Sequence, residues 1–130
     1  MEEYICKSSI NEKPLTVHLL DSYFEWQQGG KGGHASYYDI VSIRLTQSSK
    51  VFKMKIELDS LRSITLTNRF YLTRTGFEDR SRQYNTFVRM LHLYLESITT
   101  TTFFIGSSWR ELILSAKKYQ PEDIPLAYLP

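Results

Sequence analysis

Val51-Phe52-Lys53-Met54-Lys55-Ile56-Glu57-Leu58 decides the fold class. Phe52, Met54, Ile56 and Leu58 take one parity, and Val51, Lys53, Lys55 and Glu57 take the other. Successive side chains of a strand point to opposite faces, so the stretch reads as a half-buried strand with an apolar inner face and a largely basic outer one. Further along, the period changes. Tyr84, Phe87, Val88, Leu91, Tyr94, Leu95 and Ile98 recur at helical spacing and form one apolar stripe, which predicts an amphipathic helix over 81–97. Asp79 or Ser81 is placed to cap it, because a short oxygen side chain satisfies an otherwise orphan amide. Strands followed by a helix predict an α+β domain.

Working towards the N-terminus, Gln47-Ser48-Ser49-Lys50 is a turn, and 37–45 reads as a strand. Tyr38, Ile40, Ser42 and Arg44 share one parity of it; Asp39, Val41, Ile43 and Leu45 share the other. Gly29-Gly30-Lys31-Gly32-Gly33 reads as a flexible hairpin loop, since its glycines leave the backbone free at positive φ. Residues 15–28 are extended and broken at Asp21-Ser22, with Val17, Leu19 and Phe24 as core candidates, and 4–10 form a short first strand. Towards the C-terminus, 63–67 is a strand, Asn68-Arg69 turns into 70–72, and 75–82 is a polar approach to the helix. Turns this short predict an antiparallel meander in which each strand pairs with the next.

Beyond the helix, 99–105 is β-branched and aromatic and reads as a further strand. Ser108-Trp109-Arg110-Glu111 matches a capping box, which predicts a second helix over 109–119. Lys117 and Lys118 suit the negative end of its dipole, and Pro121 ends it. Residues 120–130 read as an irregular tail.

The 130 residues fit one domain, with 42% apolar and 23% charged residues arguing against disorder. A formal net charge of +2 is too small to imply nucleic-acid binding. The single cysteine, Cys6, excludes an internal disulfide and a cysteine-based zinc site, and suits a reducing compartment. With no signal-like or membrane-spanning apolar run, the expectation is a cytoplasmic protein.

No catalytic, metal or cofactor motif stands out. The glycine run lacks the Ser or Thr and the following helix that a phosphate loop needs. His18, His34 and His92 lie on a strand, a loop and a helix with no second histidine at ligand spacing. Ser48-Ser49 and Ser107-Ser108 have no nucleophile context. Trp26, just before the glycines, fits either an exposed ligand contact or the core. Lys31, Arg44, Lys53 and Lys55 are the candidate anion patch, placed to converge at one mouth of the sheet if the meander pairs as read. Phe103, Phe104 and Trp109 are too apolar to stay solvated and are the candidate partner surface, either on this chain's own sheet or in a symmetric oligomer, with a lean to the latter.

Small strands, a glycine-bearing hairpin and one long amphipathic helix together resemble the pleckstrin-homology-like (PH-like) superfold. Tyr37-Tyr38-Asp39-Ile40-Val41-Ser42-Ile43-Arg44 resembles a strand of bacterial PH-like and GRAM-like domains, and Phe24-Glu25-Trp26-Gln27-Gln28-Gly29-Gly30 resembles the strand and turn leading into it. Tyr84-Asn85-Thr86-Phe87-Val88-Arg89-Met90-Leu91-His92 resembles the closing helix. The resemblance covers about residues 15–98 and implies a bent, partly open barrel closed by the helix, with 99–119 as an addition to the minimal domain. It further implies a non-enzymatic module without cofactor, presenting a sheet edge or barrel mouth to a protein, a peptide or an anionic membrane head group. The family's lysine-arginine signature for phosphoinositides does not carry over. The alternative is a small α+β cavity protein or enzyme holding a small molecule between sheet and helix. Filling of that space by Phe87, Leu91 and Leu95 discriminates against it.

Overall fold

The computed structural model describes residues 2–96 and 98 with their side chains, and residues 102–105 and 112–115 by their backbone. The first sheet takes strands β1 (Glu2–Cys6), β2 (Leu15–Leu19), β3 (Tyr23–Gln28) and β4 (Lys31–Ser36) in sequential antiparallel order. Leu15, Val17 and Leu19 alternate inward on β2, joined by Tyr4 and Cys6 from β1 and Phe24 from β3. Burial pushes the Cys6 thiol above its ordinary pKa, so it behaves as a core side chain.

The expected 29–33 loop is not one. Only Gly29 and Gly30 turn, with Gly29 at φ +62°, and Gly32 and Gly33 are inside β4. Their role is space: a Cβ on Gly33 would stand 2.7 Å from the Trp26 indole opposite. Gly33 therefore lets the ring lie across β4, while a Cβ on Gly32 would stand 2.6 Å from the Trp26 carbonyl oxygen.

A capped 3-10 turn, Tyr37–Asp39, replaces the start of the expected 37–45 strand and leads into β5 (Ile40–Ser48). The second sheet continues with β6 (Val51–Leu58) and β7 (Ser63–Thr67), antiparallel in sequence. Met54, Ile56 and Leu58 are buried as the alternation requires. A bulge between Ile40 and Ser42 exposes Val41 and turns Ile43 and Leu45 inward after it, which reconciles the two parities of this segment. The β6–β7 turn closes with Leu61 at φ +66° and 98% exposed, a backbone region that a leucine rarely takes.

Two short strands, β8 (Arg69–Tyr71) and β9 (Phe77–Asp79), pair with each other; β8 overlaps the expected turn into 70–72, and β9 lies in the segment read as polar approach. The helix α1 (Ser81–Leu95) follows and buries Tyr84, Phe87, Val88, Leu91 and Leu95. Arg80, not the expected Asp79 or Ser81, stands at the N-cap and makes no side-chain cap bond; Asp79, one residue earlier, accepts from the Ser81 amide at 2.9 Å, and its bonds from Ser81 hold its carboxyl below the ordinary range. The helix packs on β1, where Phe87 lies 5.5 Å from the Tyr4 ring.

Strands β10 (Thr102–Ile105) and β11 (Leu112–Ser115) complete the second sheet, whose order is β11-β10-β5-β6-β7. Strand β10 runs parallel to β5 and antiparallel to β11. The second helix expected over 109–119 is therefore overturned at 112–115. Leu112-Ile113-Leu114 gains a full backbone ladder against β10, and tertiary pairing overrides helical signals in so short a stretch. The capping box at 108–111 and the tail at 120–130 lie outside the described residues.

The result is a mostly antiparallel α+β fold with one helix among the described residues. The expected barrel is not formed. Among the described residues the strands stay in separate sheets, because β4 does not pair with β5 and the meander breaks there. Among the described residues no helix is long and apolar enough to cross a membrane.

Candidate functional site

Strand β7 ends the second sheet, and beside its open edge lies a groove of about 700 Å³. The opposite wall comes from the first sheet, where Leu15, Gln28 and Lys31 stand in one cross-strand row. The two sheets meet at both ends of the groove. At one end the Tyr4 hydroxyl donates to the Thr67 carbonyl, and the Ser8 and Thr67 hydroxyls lie 3.5 Å apart. At the other, the Arg62 guanidinium sits 5.5 Å from the centre of the Trp26 ring. Between these clamps the edge of β7 faces open space.

The groove is basic. Lys13, Lys31, Lys53 and Arg69 line it, against one acid, Glu12. Among the described residues, Lys13, Lys31 and Lys53 have no carboxylate partner. Arg69 is held more tightly, bonded to the Tyr71 hydroxyl at 3.0 Å and lying 3.9 Å from the centre of the Phe77 ring. Like charges gathered in a cleft raise the local concentration of anions. Trp26 and Tyr71 add aromatic surface to the walls.

The candidate patch thus splits. Lys31 and Lys53 come together in the groove. Arg44 and Lys55 stand opposite each other on β5 and β6, away from it, and Lys55 pairs with Glu57 at 3.4 Å. Lys13 and Arg69 are not members of the anion patch expected from the sequence. Lys13 was hidden in a turn, and its carbonyl is tied to the groove wall by the Gln28 side chain at 2.9 Å. Trp26 is part-buried, packs on Phe24 at 5.7 Å between ring centres, and also faces the groove. Phe103 and Phe104 fall on β10, beside Ile43 and Arg44 of this chain's own β5, and Trp109 lies outside the described residues.

Cross-strand register also assembles a cluster that sequence spacing conceals. Glu3, His18 and Glu25 form a row across β1, β2 and β3, with His18 bonded to Glu3 and 3.7 Å from Glu25. The row is at the surface, outside the groove, and its carboxylates are half-exposed. The space under the helix is occupied: Phe87, Leu91 and Leu95 are buried in the core, and no helix residue lines the groove.

Compared with known proteins, the chain matches no family model, no curated protein and no solved structure.

Proposed function

We propose that this chain is a non-enzymatic binding module whose working surface is the basic groove along β7. The observation that carries the reading is the set of three lysines, Lys13, Lys31 and Lys53, brought from three separate hairpins to one cleft without carboxylate partners among the described residues. Apposed cations of this kind attract an anionic partner and tolerate their mutual repulsion best when one is bound. The filled core beneath α1 supports a surface-binding module over a cavity protein. The pairing of β10 with β5 supports a C-terminal segment that completes this chain's own sheet rather than a partner's. Strands β1 to β7, paired antiparallel among themselves and preceding α1, also support the PH-like relationship, with the sheets left unclosed.

The test is titration with a short polyglutamate at low and at high salt. Binding should weaken as salt rises, because exposed charges are screened over about 10 Å at 0.1 M. The double reversal Lys31→Glu with Lys53→Glu should abolish it, while Arg89→Glu, on the exposed face of α1, should leave it nearly intact. No binding at low salt, or an equal loss in Arg89→Glu, would refute the assignment.

A further inference from the structure

We infer that the groove takes an extended acidic peptide, which adds to β7 as a further strand of the second sheet. The inference rests on the binding-module reading above and names the occupant.

In an antiparallel pair, opposed residues alternate between pairs that exchange backbone bonds and pairs that do not. Leu58 donates to the Arg62 carbonyl at 2.9 Å, and the Asn68 amide donates to the Phe52 carbonyl at 3.2 Å. These two bonds bracket β7 and fix its phase from both ends. Ile64 and Leu66 therefore bond to β6, opposite Ile56 and Met54. Ser63, Thr65 and Thr67 turn their N–H and C=O groups away from β6, into the groove. The Tyr4 hydroxyl bonded to the Thr67 carbonyl shows that orientation directly. Among the described residues, the N–H and C=O of Ser63 and Thr65 have no partner, while the Thr67 N–H is taken by the Cys6 thiol.

An open edge of this kind is usually guarded by charge, proline or a bulge. Strand β7 reads Ser-Ile-Thr-Leu-Thr and carries none of these. The edges of the first sheet differ: β1 carries Glu2 and Glu3, and β4 carries Lys31 and the two glycines. Strand β11, at the other edge of the second sheet, reads Leu-Ile-Leu-Ser and is uncharged too; of the two, it is β7 that borders the basic groove.

Charge complementarity decides the chemistry of the occupant. Side chains of Ser63, Thr65 and Thr67 share a face with Lys53 and with the Lys55–Glu57 pair, which cancels its own charge, and Lys13 and Lys31 stand across the cleft. An added strand would point alternate side chains to that face. Carboxylates at those positions meet the lysines, while the backbone fills the row on β7. A head group or a nucleic acid satisfies the charges but not the backbone row, whereas strand addition uses both. The clamps at Thr67 and Arg62 limit the bound segment to about the length of β7, roughly 17 Å at 3.3–3.4 Å per residue.

The probe is a fluorescent pentapeptide alternating glutamate and valine, with a second version N-methylated at the alternate amides that would face β7. The parent should bind, and methylation should weaken it by about tenfold or more, since each lost tenfold corresponds to about 1.4 kcal/mol. Thr65→Pro should do the same, because a proline on the open side of an edge strand removes only the outward N–H. Exchange of the Ser63 and Thr65 amides should slow in the complex. The methylated peptide needs no protein variant, so it decides the matter even if Thr65→Pro fails to fold. Equal binding of both peptides, lost in Lys31→Glu with Lys53→Glu, would overturn strand addition and leave the basic groove as the binding site. Binding of anionic phosphatidylserine vesicles but not of the peptide would overturn the peptide occupant. Failure to bind either probe or polyglutamate would overturn both readings.

Discussion

Asn68 is 3% exposed and joins three parts of the chain through one amide. Its Oδ1 accepts from the Phe52 amide at 3.0 Å. Its Nδ2 donates to the Lys50 carbonyl at 3.3 Å and to the Ser81 hydroxyl at 3.0 Å. The β5–β6 turn, the start of β6 and the first residue of α1 are therefore fixed to the link between β7 and β8. Asn68→Ala deletes all three bonds and orphans the Phe52 amide. At about 0.5–1.5 kcal/mol net for each bond, with a further penalty for an unsatisfied buried group, the loss should be about 2–4 kcal/mol. That is a large share of the roughly 5–15 kcal/mol that holds a domain folded. Urea unfolding followed by tryptophan fluorescence measures it, with the slope expected to stay constant. Arg89→Ala, on the exposed face of α1, serves as the control and should cost less than about 0.5 kcal/mol. If Asn68→Ala costs no more than that control, the amide does not brace the helix start and the reasoning fails.

Two further outcomes follow from buried polar groups. His92 is buried in α1, with its Nδ1 donating to the Val88 carbonyl at 2.6 Å, and burial pushes its pKa from 6.5 down to about 4. The unfolded chain then takes up the proton first, so stability is full above pH 6.5 and falls as pH drops towards 4. The slope should approach ~1.4 kcal/mol per pH unit, about 3 kcal/mol in all, and should flatten in His92→Leu when the two are unfolded in urea across that range. The Tyr84 hydroxyl is buried without a hydrogen-bond partner among the described residues. Tyr84→Phe should therefore raise stability by about 1 kcal/mol, and a lower melting temperature would show that the hydroxyl is bonded.

The parts of the fold legible in the sequence are those with a clean period. Residues 51–58 and 81–95 bury one face each, so a period of two and then one near 3.6 were written into their apolar residues. Strand β5 was harder, because the bulge at Val41 shifts its parity midway and local alternation cannot register an extra residue. Glycines suggested a loop at 29–33, yet Gly33 serves the width of the Trp26 ring and Gly32 the close approach of its backbone, demands set by the opposite strand. Strands β8 and β9 are too short to show a period. At 112–115 the local signals favoured a helix, while the ladder that makes it a strand comes from elsewhere in the chain. The groove was legible only in part. Lys53 announced itself by sitting on the polar face of a strand, but Lys13 and Arg69 join it through the convergence of two sheets, which no spacing encodes.

The parallel pairing of β10 with β5 also sets an order of events during synthesis. β5, β6 and β7 can zip together as they emerge, since each partner follows its neighbour by a short turn. The outer side of β5 cannot be covered until the ribosome has made α1 and the segment beyond it. Over that interval the nascent chain carries a bare edge along Ile43 and Leu45, open to other unfinished chains. Closing so long a loop is also slow relative to a hairpin, so docking of the last strand is the natural rate-limiting step in folding. A chain stalled after α1 is the form in which this protein is most exposed to misassembly and most in need of a chaperone.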